Sequence, residues 1–594
     1  MVFSMPMYRE YVPKSVRPWI YLFFAIVFQL SGGIYLGTLS NYMGTTSFMR
    51  EDVLMIGLCG VVGVAMPFPL LFRFKFRFTN RQLLLNAALG IALCNLLCMY
   101  VRSIPVLCVI SYVAGFLKLC GTFECMSNIQ LWMAPGRDFS RFFPFLYMVV
   151  VGCMNISSWI ANQLTYHLGS WMMMHWFMIG LLLIVALTVF VLTRNVRLMP
   201  KVPMISVDWL GCVLWSLVLL EGIWIFTYGE YYNWFDSNVF RTVCVAWPVT
   251  LAICIGRMRH IRHPYIDSAA FKYRQLYPVL GLFLVLEVMY ATPKSLQTAF
   301  TSAVLGYGVM TTARFSLCEL FGTLFGCSFV LWWIKVVRLK YTTLLSVGYA
   351  AILVYQLTMY FGLSPYVNVE VFYLPTMLRT FGFAIFFAAL TIYLEEFMPF
   401  QHFFMGLTIC GFIRNGLIES IASAGYAHAL RYYTAAYSTH YFSSSIPAVP
   451  DQSVAGYVAK MDALAPLMSS VKTIFGWSCL IGTAVLLLFL LYDVEPVRRT
   501  LKKMPKSSNV DGFSCLSLRM HHRLIQESEQ PKRNPAAGAD LGVVHREVAV
   551  RKIGNLPKGL SFAADFKEVL VVDEEVSLLG VSDIVQDAKL ADEK

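Results

Sequence analysis

The sequence contains little charge for its length. Only 14% of its 594 residues are Asp, Glu, Lys or Arg, whereas a soluble domain carries roughly a quarter, because charged side chains cover its surface. This shortage excludes an ordinary water-soluble protein of the same size. It indicates that most of the molecular surface faces lipid.

Motifs of catalysis and metal binding are also missing. The sequence has no HExxH, no GxxxxGK[ST] phosphate loop, no CxxC and no recognisable Ser/His/Asp arrangement. Its 15 cysteines are scattered through apolar segments, where we interpret them as small buried residues rather than disulfides or metal ligands. We therefore expect neither an enzyme nor a bound cofactor.

Long apolar runs are what the sequence has in abundance. Many of them reach about 20 residues, the length at which an α-helix crosses roughly 30 Å of hydrocarbon. They are continuously apolar rather than alternating, which favours helices over the strands of a barrel. The runs predict fourteen spans, at 19–39, 52–72, 82–101, 106–127, 142–162, 173–193, 208–228, 238–256, 274–292, 309–333, 342–361, 369–394, 403–429 and 472–492.

Basic residues cluster in the loops that follow even-numbered spans. The positive-inside rule places such loops, and with an even span count both termini, in the cytoplasm. The net charge of +13 is thereby explained without nucleic acid. The long loop at about 430–471 is predicted to lie outside. The basic residues that define the topology are Arg73, Lys75, Arg77, Arg81, Arg194, Arg197, Lys201, Arg257, Arg259, Arg262, Lys272, Arg274, Lys335, Arg338, Lys340, Arg498, Arg499, Lys502, Lys503 and Lys506.

The spans and loops predict five segments. Residues 1–18 form a cytoplasmic tail, 19–195 a six-helix bundle, 206–258 an inserted helix pair (spans 7 and 8), and 272–494 a second six-helix bundle. Residues 495–594 contain no run of bilayer length. They are interpreted as a cytoplasmic tail, either partly disordered or containing a small regulatory module.

Several segments resemble one transporter family. VDWLG at 207–211, EYYNWFDS at 230–237 and RMRHIRHPYIDSAAFKYRQL at 257–276 resemble the inserted pair and following loop of EmrB/QacA-type drug:proton antiporters. These antiporters are the fourteen-span branch of the major facilitator superfamily. Segments 169–180 and 296–317 also resemble it. The resemblance implies an all-α polytopic membrane protein of the major facilitator fold, with two six-helix bundles and an inserted pair.

The sequence departs from the antiporter pattern at three places. Span 1 has Ser31 and Gly32 where the branch has an acid. The loop between spans 2 and 3 keeps Arg77 and Arg81 as gating residues, but Phe76 stands at the expected Asp position. Span 5 lacks the branch's proline, with Asn155 near its place. The lost span 5 motif weakens the implication of antiport.

Charged residues inside predicted spans are functional candidates, since a charge at mid-bilayer is costly unless it is paired or hydrated. Glu124 is the leading proton carrier. It shares a helix face with Asn128, and the alternative is a fixed partner for Lys118 or for a base on another helix. Further proton-coupling candidates are Glu287, Glu319 and Glu419, with Glu221 ranked lower.

Other interior residues are candidates for the substrate pathway. Arg314 and Arg414 are interpreted as structural locks that hold the bundles together, and Arg379 as a further interior cation that could attract an anionic substrate group. Aromatic residues near the pathway would suit large apolar or cationic compounds, although most aromatics of such a protein pack against lipid or sit at the membrane interface. The remaining pathway candidates are Tyr35, Asn128, Asn155, Trp159 and Tyr290.

The resemblance implies a secondary active transporter in the cell inner (plasma) membrane. It would export amphipathic drugs or other small organic molecules by alternating access, driven by a proton gradient. Its partners would be the bilayer, its solute and, in two-membrane envelopes, a periplasmic adaptor and an outer-membrane channel. The alternatives are a dedicated metabolite symporter or uniporter, and a membrane sensor or scaffold that transports nothing.

Overall fold

The structure is a computed structural model that describes residues 5, 7–134, 139–196, 207–261, 263–337, 341–443 and 452–491. The predicted tail at 495–594 lies outside the described residues. So do ten of the basic residues used for the topology, namely Arg197, Lys201, Arg262, Arg338, Lys340, Arg498, Arg499, Lys502, Lys503 and Lys506.

The described chain is built from α-helices with no β-strand in these ranges. The prediction of an all-α protein is therefore confirmed. The helices are α1 (Arg17–Leu30), α2 (Leu39–Thr46), α3 (Arg50–Ala65), α4 (Leu71–Arg77), α5 (Asn80–Tyr100), α6 (Ile104–Met133), α7 (Phe139–Leu168), α8 (Met172–Leu192), α9 (Trp209–Tyr228), α10 (Asn238–His260), α11 (Leu276–Ala299), α12 (Val309–Trp332), α13 (Tyr341–Gly362), α14 (Tyr373–Phe397), α15 (Phe400–Gly411), α16 (Glu419–Ser443) and α17 (Gln452–Leu491).

Twelve helical stretches in the described chain are long and apolar enough to cross a membrane. They coincide with twelve of the fourteen predicted spans, and they indicate a multi-pass membrane protein. Predicted spans 1 and 13 do not meet the same criterion as single helices. The count of fourteen therefore stays a prediction at those two places.

Span 1 is not the continuous helix predicted over 19–39. Helix α1 ends at Leu30 after 14 residues, about 21 Å of helix, which is too short to cross the hydrocarbon alone. The chain then runs without helix through SGGIY before a 3₁₀ turn at Leu36–Thr38. Glycine favours such a break because it loses the most backbone freedom in a helix.

Span 13 contains a π-helical segment. Residues Phe412–Ile418 separate α15 from α16 without ending the helical path. The π turn inserts an extra residue into the α-helical repeat, a feature that often occurs at functional sites. It changes the direction of the side chains that follow it, including Glu419.

The loop predicted at 430–471 is largely helical instead. Helix α16 continues to Ser443, and α17 begins at Gln452. Ala and other helix-compatible residues make an extended helix possible here. Polar side chains hydrogen-bond between the two helices, with Thr434 donating to Ser470 at 3.1 Å and Tyr437 paired with Thr473 at 2.9 Å.

The helices pack as two groups. In the first, α6 contacts α1, α3 and α5; in the second, α14 contacts α12 and α13, and α17 contacts α13 and α16. Glycines line the closest crossings. Gly63 and Gly115 lie between α3 and α6, Gly322 of α12 faces α14, and Gly382 of α14 faces α13. Without a side chain, glycine lets helix backbones approach closely in a membrane. Helix α7 of the first group also packs against α12 of the second.

Helices α9 and α10 coincide with spans 7 and 8, the predicted inserted pair. Helix α9 contacts α3 of the first group and both the π segment and α16 of the second, whereas α10 is mostly exposed. Tyr228 of α9 donates to Asp52 of α3 at 2.6 Å. Glu221 accepts a hydrogen bond from Thr250 of α10 at 2.5 Å. Glu221 thus joins the two helices of the inserted pair.

Asp208 caps the start of α9 just outside the membrane-spanning segment. It accepts hydrogen bonds from the Gly211 amide at 2.9 Å, the Arg257 guanidinium at 2.7 Å and the Tyr265 amide at 3.3 Å. Burial opposes the charge of this carboxyl, but the hydrogen bonds from Arg257 and from the two amides outweigh it, so the pKa of Asp208 is lowered.

We expect Asp208→Asn to lower the free energy of unfolding by about 1–2 kcal/mol, because Asn can still cap α9 but lacks the charge that strengthens the hydrogen bonds from Arg257. A carboxyl with a lowered pKa stabilises the folded state above its unfolded pKa, and that stabilisation is lost as the pH falls through the folded pKa. Thermal unfolding of the purified protein across this pH range measures both effects. Asp236→Asn, in the exposed turn between α9 and α10, is the control. Equal melting temperatures for the Asp208 variant and the parent at neutral pH would contradict the prediction.

Candidate functional site

The second helix group encloses a cluster of six charged side chains. They come from α11, α12, α14, the π segment and the first residue of α16. Three are acids and three are bases, so the cluster is neutral when all are ionised. Its members are Glu287, Lys294, Glu319, Arg379, Arg414 and Glu419.

Glu319 bridges two cations. Its carboxylate lies 2.5 Å from Nη2 of Arg379 on α14 and 2.9 Å from Nζ of Lys294 on α11. Glu319 and Arg379 are almost fully buried, whereas the Lys294 side chain is 51% exposed. Helices α12 and α14 can meet this closely because Gly322, one turn after Glu319, lies against the α14 backbone. This triad carries one excess positive charge.

Arg379 lies between two tyrosine rings. Its guanidinium carbon is 5.3 Å from the ring centroids of both Tyr290 and Tyr355, within the range of cation–π attraction. The Tyr355 hydroxyl donates to Gln297 at 3.0 Å, and Gln297 donates to Thr376 at 2.9 Å. Two guanidinium nitrogens of Arg379, Nε and Nη1, have no hydrogen-bond partner among the described residues.

The second ion pair joins α11 to the π segment. Arg414 donates to the carboxylate of Glu287, and its guanidinium lies 4.2 Å from the ring centroid of Phe387 and 5.1 Å from that of Phe383. Both arginine pairs therefore lock helices within the second group rather than joining the two groups. Glu419 has Glu287, Lys294 and Arg414 as charged neighbours, and makes no ion pair within the described chain.

Lys294 is a site residue that sequence reasoning missed. Predicted span 9 ended at residue 292, but α11 continues to Ala299 and into a π turn at Phe300–Val304. A usable signal was present, because Lys294 follows Glu287 by seven residues and so lies on the same helix face. The polar residues after position 292 lower the local hydropathy, so the predicted end of span 9 fell two residues before Lys294.

Glu124 belongs to a separate group in the first bundle. Asn80 donates to its Oε1 at 2.5 Å and Asn128 at 3.2 Å, while Nζ of Lys75 lies 3.9 Å from Oε2. Its charged partner is thus Lys75 of α4, a base on another helix, and not Lys118. Lys118 instead donates to the backbone oxygen of Gln29 near the end of α1, at 2.8 Å.

The other predicted pathway residues lie apart from the cluster. Tyr35 donates to Asn95 at 2.9 Å inside the first group. Asn155 of α7 donates to Thr323 of α12 at 3.1 Å, a hydrogen bond between the groups. Trp159 is half-buried on α7.

Three predicted arginines lie at the surface or near it. Arg314 is exposed on the second turn of α12, five residues before Glu319, and does not join the cluster. Arg77 is exposed at the end of α4. Arg81 stacks on Phe190, with 4.4 Å between the guanidinium carbon and the ring centroid.

Aromatic residues join the two groups at the end that carries the basic loop between α4 and α5. Phe72 meets Phe404 with ring centroids 4.7 Å apart, and Phe143 meets Phe403 at 5.6 Å. The Tyr147 ring lies 4.3 Å from that of Phe387, and its hydroxyl is 2.9 Å from Thr391 Oγ1. These contacts close the space between the groups at that end.

In the described chain, no group of three or more His, Cys, Asp or Glu side chains could hold a metal ion. The arrangement of the second group offers instead buried carboxylates that can exchange protons and cations that can bind an anion. Both are properties of a site that recognises or couples to a charged solute.

Comparison with solved structures identifies the architecture. The chain aligns with an auto-inhibited POT family peptide transporter over 84% of its length and 99% of that chain, with a TM-score of 0.50 and 15% identity. It aligns with tetrameric PepTSo2 over 83% of its length and 100% of that chain, with a TM-score of 0.50 and 11% identity. The chain has the major facilitator fold.

At these identities the likeness shows the fold alone. No protein-family model and no curated protein matches the sequence. Within the fold, the two helix groups correspond to its two bundles, and the charge cluster lies in the second bundle.

Proposed function

We propose that the chain is a proton-coupled secondary transporter of small amphipathic organic solutes in the cell inner (plasma) membrane. The observation that carries this proposal is the buried charge cluster inside a major facilitator fold. Charges in a membrane interior are costly, and they are typical of substrate and proton pathways. The aromatic rings around Arg379 and Arg414 add apolar surface for an amphipathic solute.

Alternating access would come from rocking of the two bundles about their contact. In such transporters the site lies at the interface of the repeats, and one bundle moves against the other. The aromatic contacts between Phe72 and Phe404 and between Phe143 and Phe403 would form the closed gate of one state. Export is the direction that the sequence resemblance favours, with an adaptor and an outer channel as further partners in two-membrane cells.

Glu419 is the carboxylate that we propose as the proton carrier of the solute-free protein. Glu287 and Glu319 are each held by an arginine, and Glu124 lies beside Lys75. A carrier has to load and release its proton without breaking a fixed ion pair. Glu419 meets this condition, because it makes no ion pair among the described residues, although Glu287, Arg414 and Lys294 act on its charge.

We expect Glu419→Gln to abolish the response of dye efflux to an imposed pH gradient in proteoliposomes, while dye binding persists. Glu124→Gln, tested in parallel, should keep at least half of the response if its carboxyl is a fixed partner of Lys75. Glu370→Gln, on the exposed segment before α14, is the matched control. If the unmodified protein transports no dye under a pH gradient of either direction, the drug-efflux proposal is contradicted.

A dedicated metabolite carrier is the second candidate. It is favoured by the hydrogen bonds from Tyr355 to Gln297 and from Gln297 to Thr376. An apolar cavity that accepts many unrelated compounds does not need polar groups fixed in this way. The two candidates differ in competition. Chemically unrelated dyes should inhibit one another in a polyspecific exporter and should leave a metabolite carrier unaffected.

A further inference from the structure

Arg379 has hydrogen-bonding capacity that the described protein does not use. Its side chain is 1% exposed, yet Nε and Nη1 have no hydrogen-bond partner among the described residues. A buried polar group without a hydrogen bond costs about 1–3 kcal/mol, and more when it is charged, so an isolated case needs an explanation. The ammonium of Lys294 contacts the same carboxylate, and the Lys294 side chain is half exposed.

We propose that Arg379 and Lys294 bind the carboxylate of an organic-acid solute, which takes the place that Glu319 occupies in the solute-free protein. The proposal rests on the chain being a transporter and names the chemical class of its solute. Glu319 itself defines the ligand chemistry, because its carboxylate already contacts both cations at 2.5 and 2.9 Å.

The chemistry of the site favours a carboxylate over other anions. Arginine presents a planar fork that matches a planar carboxylate in two parallel hydrogen bonds, whereas only one nitrogen of Arg379 is bonded to Glu319. Both edges of the guanidinium that can bind a carboxylate in this way, Nε–Nη2 and Nη1–Nη2, include the Nη2 that Glu319 holds, so a free carboxylate that takes the place of Glu319 can accept two parallel hydrogen bonds. The ligand would therefore use Arg379 more completely than Glu319 does.

The apolar part of the solute has a surface to contact. Tyr290 stacks on Phe383 with ring centroids 4.1 Å apart, and Phe383 stacks in turn on Phe387 at 5.7 Å. This row of rings extends from Arg379 to Arg414. An aromatic or aliphatic chain beside the carboxylate would pack along it.

Charge balance links solute binding to a proton. If the solute displaces Glu319 from both cations, an ionised Glu319 would stay buried without a partner, at a cost of several kcal/mol. Taking up one proton removes that charge, and the total charge of the site is then unchanged. Solute anion and proton therefore bind together. The titratable and charged groups around Glu319 are Lys294 and Tyr290 of α11, Arg379 of α14, Tyr355 of α13 and Cys318 of α12.

Joint binding predicts movement of solute and proton in the same direction. A cationic drug would compete with protons for a carboxylate, as an antiporter requires, but the Glu319 triad carries excess positive charge and repels cations. The inference thus favours a symporter of organic acids over an antiporter of cations. Either direction of net transport then follows from the gradients.

The test measures probe binding to the full-length protein in lipid nanodiscs by tryptophan fluorescence. The probes are benzoate and octanoate, with the neutral amides benzamide and octanamide and the cation benzylamine as matched compounds. Between about pH 5.5 and pH 7.5 both acids are ionised, because free carboxyls titrate near pH 4. We expect at least one acid to bind, its amide to bind at least tenfold more weakly, and acid affinity to fall as the pH rises.

Two variants separate the site from general effects. Glu319→Gln mimics the protonated state, so acid affinity should become independent of pH. Lys294→Gln, at a half-exposed position with little risk to folding, should weaken acid binding about tenfold, the effect of roughly 1.4 kcal/mol. Glu370→Gln should bind as the parent does.

Equal binding of acids and amides, no binding of either acid, or full acid binding in Lys294→Gln would overturn the carboxylate site. Transport is tested separately, by uptake of the same five probes into proteoliposomes. Uptake of benzylamine without uptake of benzoate would contradict the carboxylate site but would support the proposal that the chain is a transporter. Binding of benzoate without uptake of any probe would keep the site and contradict the proposed function.

Discussion

Gly115→Val is expected to prevent the protein from folding. A Cβ atom at Gly115 would overlap the carbonyl oxygen of Gly60, and one at Gly63 would overlap that of Tyr112. Both obstacles are backbone atoms at the crossing of α3 and α6, so no side-chain rotation relieves them. Separating the helices would also open the buried cluster around Ile56 and Ala114. We expect a loss above about 4 kcal/mol, the range of the most disruptive core substitutions.

The measurement is the yield of monodisperse protein after extraction in mild detergent, followed by thermal unfolding. Gly180→Val is the matched control, because Gly180 lies in a membrane helix but has open space where a Cβ would stand. The control should extract and melt as the parent does. A Gly115→Val protein with parental yield and melting temperature would mean that α3 and α6 do not cross at this distance.

Arg379→Met is expected to have the second largest effect. Removing one partner of a buried ion pair typically costs about 3–5 kcal/mol, because the remaining charge stays buried. Here Lys294 still contacts Glu319, but its ammonium is half exposed and replaces the guanidinium only in part. The double variant Arg379→Met/Glu319→Gln should recover much of the loss, since it leaves no buried carboxylate unpaired.

Unfolding of the parent, both single variants and the double variant forms a double-mutant cycle, which measures the coupling between the two side chains. Arg314→Met is the control for the loss of an arginine outside the cluster, because Arg314 is exposed on α12. Strictly additive effects in the cycle would show that Arg379 and Glu319 do not interact in the membrane. The benzoate binding experiment should also fail in Arg379→Met.

The fold follows closely from hydropathy. Bilayer thickness sets the length of a helix and forbids unpaired backbone groups, so apolar runs of about 20 residues predict helices with little ambiguity. The predicted helix ends were wrong where a local sequence feature outweighed the hydropathy of the apolar run. The Gly pair after Ser31 ends α1 early, and alanines extend α16 beyond the membrane run.

The residues of the candidate site were mostly visible in the sequence, but their partners were not. Glu287, Glu319, Arg379 and Arg414 stood out because charge is rare in apolar spans. Arg314 and Glu319 are five residues apart, about 140° around a helix, so they cannot readily pair. Periodicity does not predict that Glu319 meets Arg379, 60 residues later. Lys294 was missed because a hydropathy boundary falls before it, although the helix does not end there.

The sequence by itself determined that this is a polytopic helical membrane protein with charges inside it, because both conclusions depend only on local composition and on the solvent that surrounds the chain. The tertiary structure alone decided that three acids and three bases gather in the second bundle, that Glu124 pairs with Lys75, and that two nitrogens of Arg379 have no hydrogen-bond partner among the described residues. Which side chains meet depends on how helices distant in sequence cross. Those crossings are set by the shape of glycine-lined surfaces, which no single segment contains.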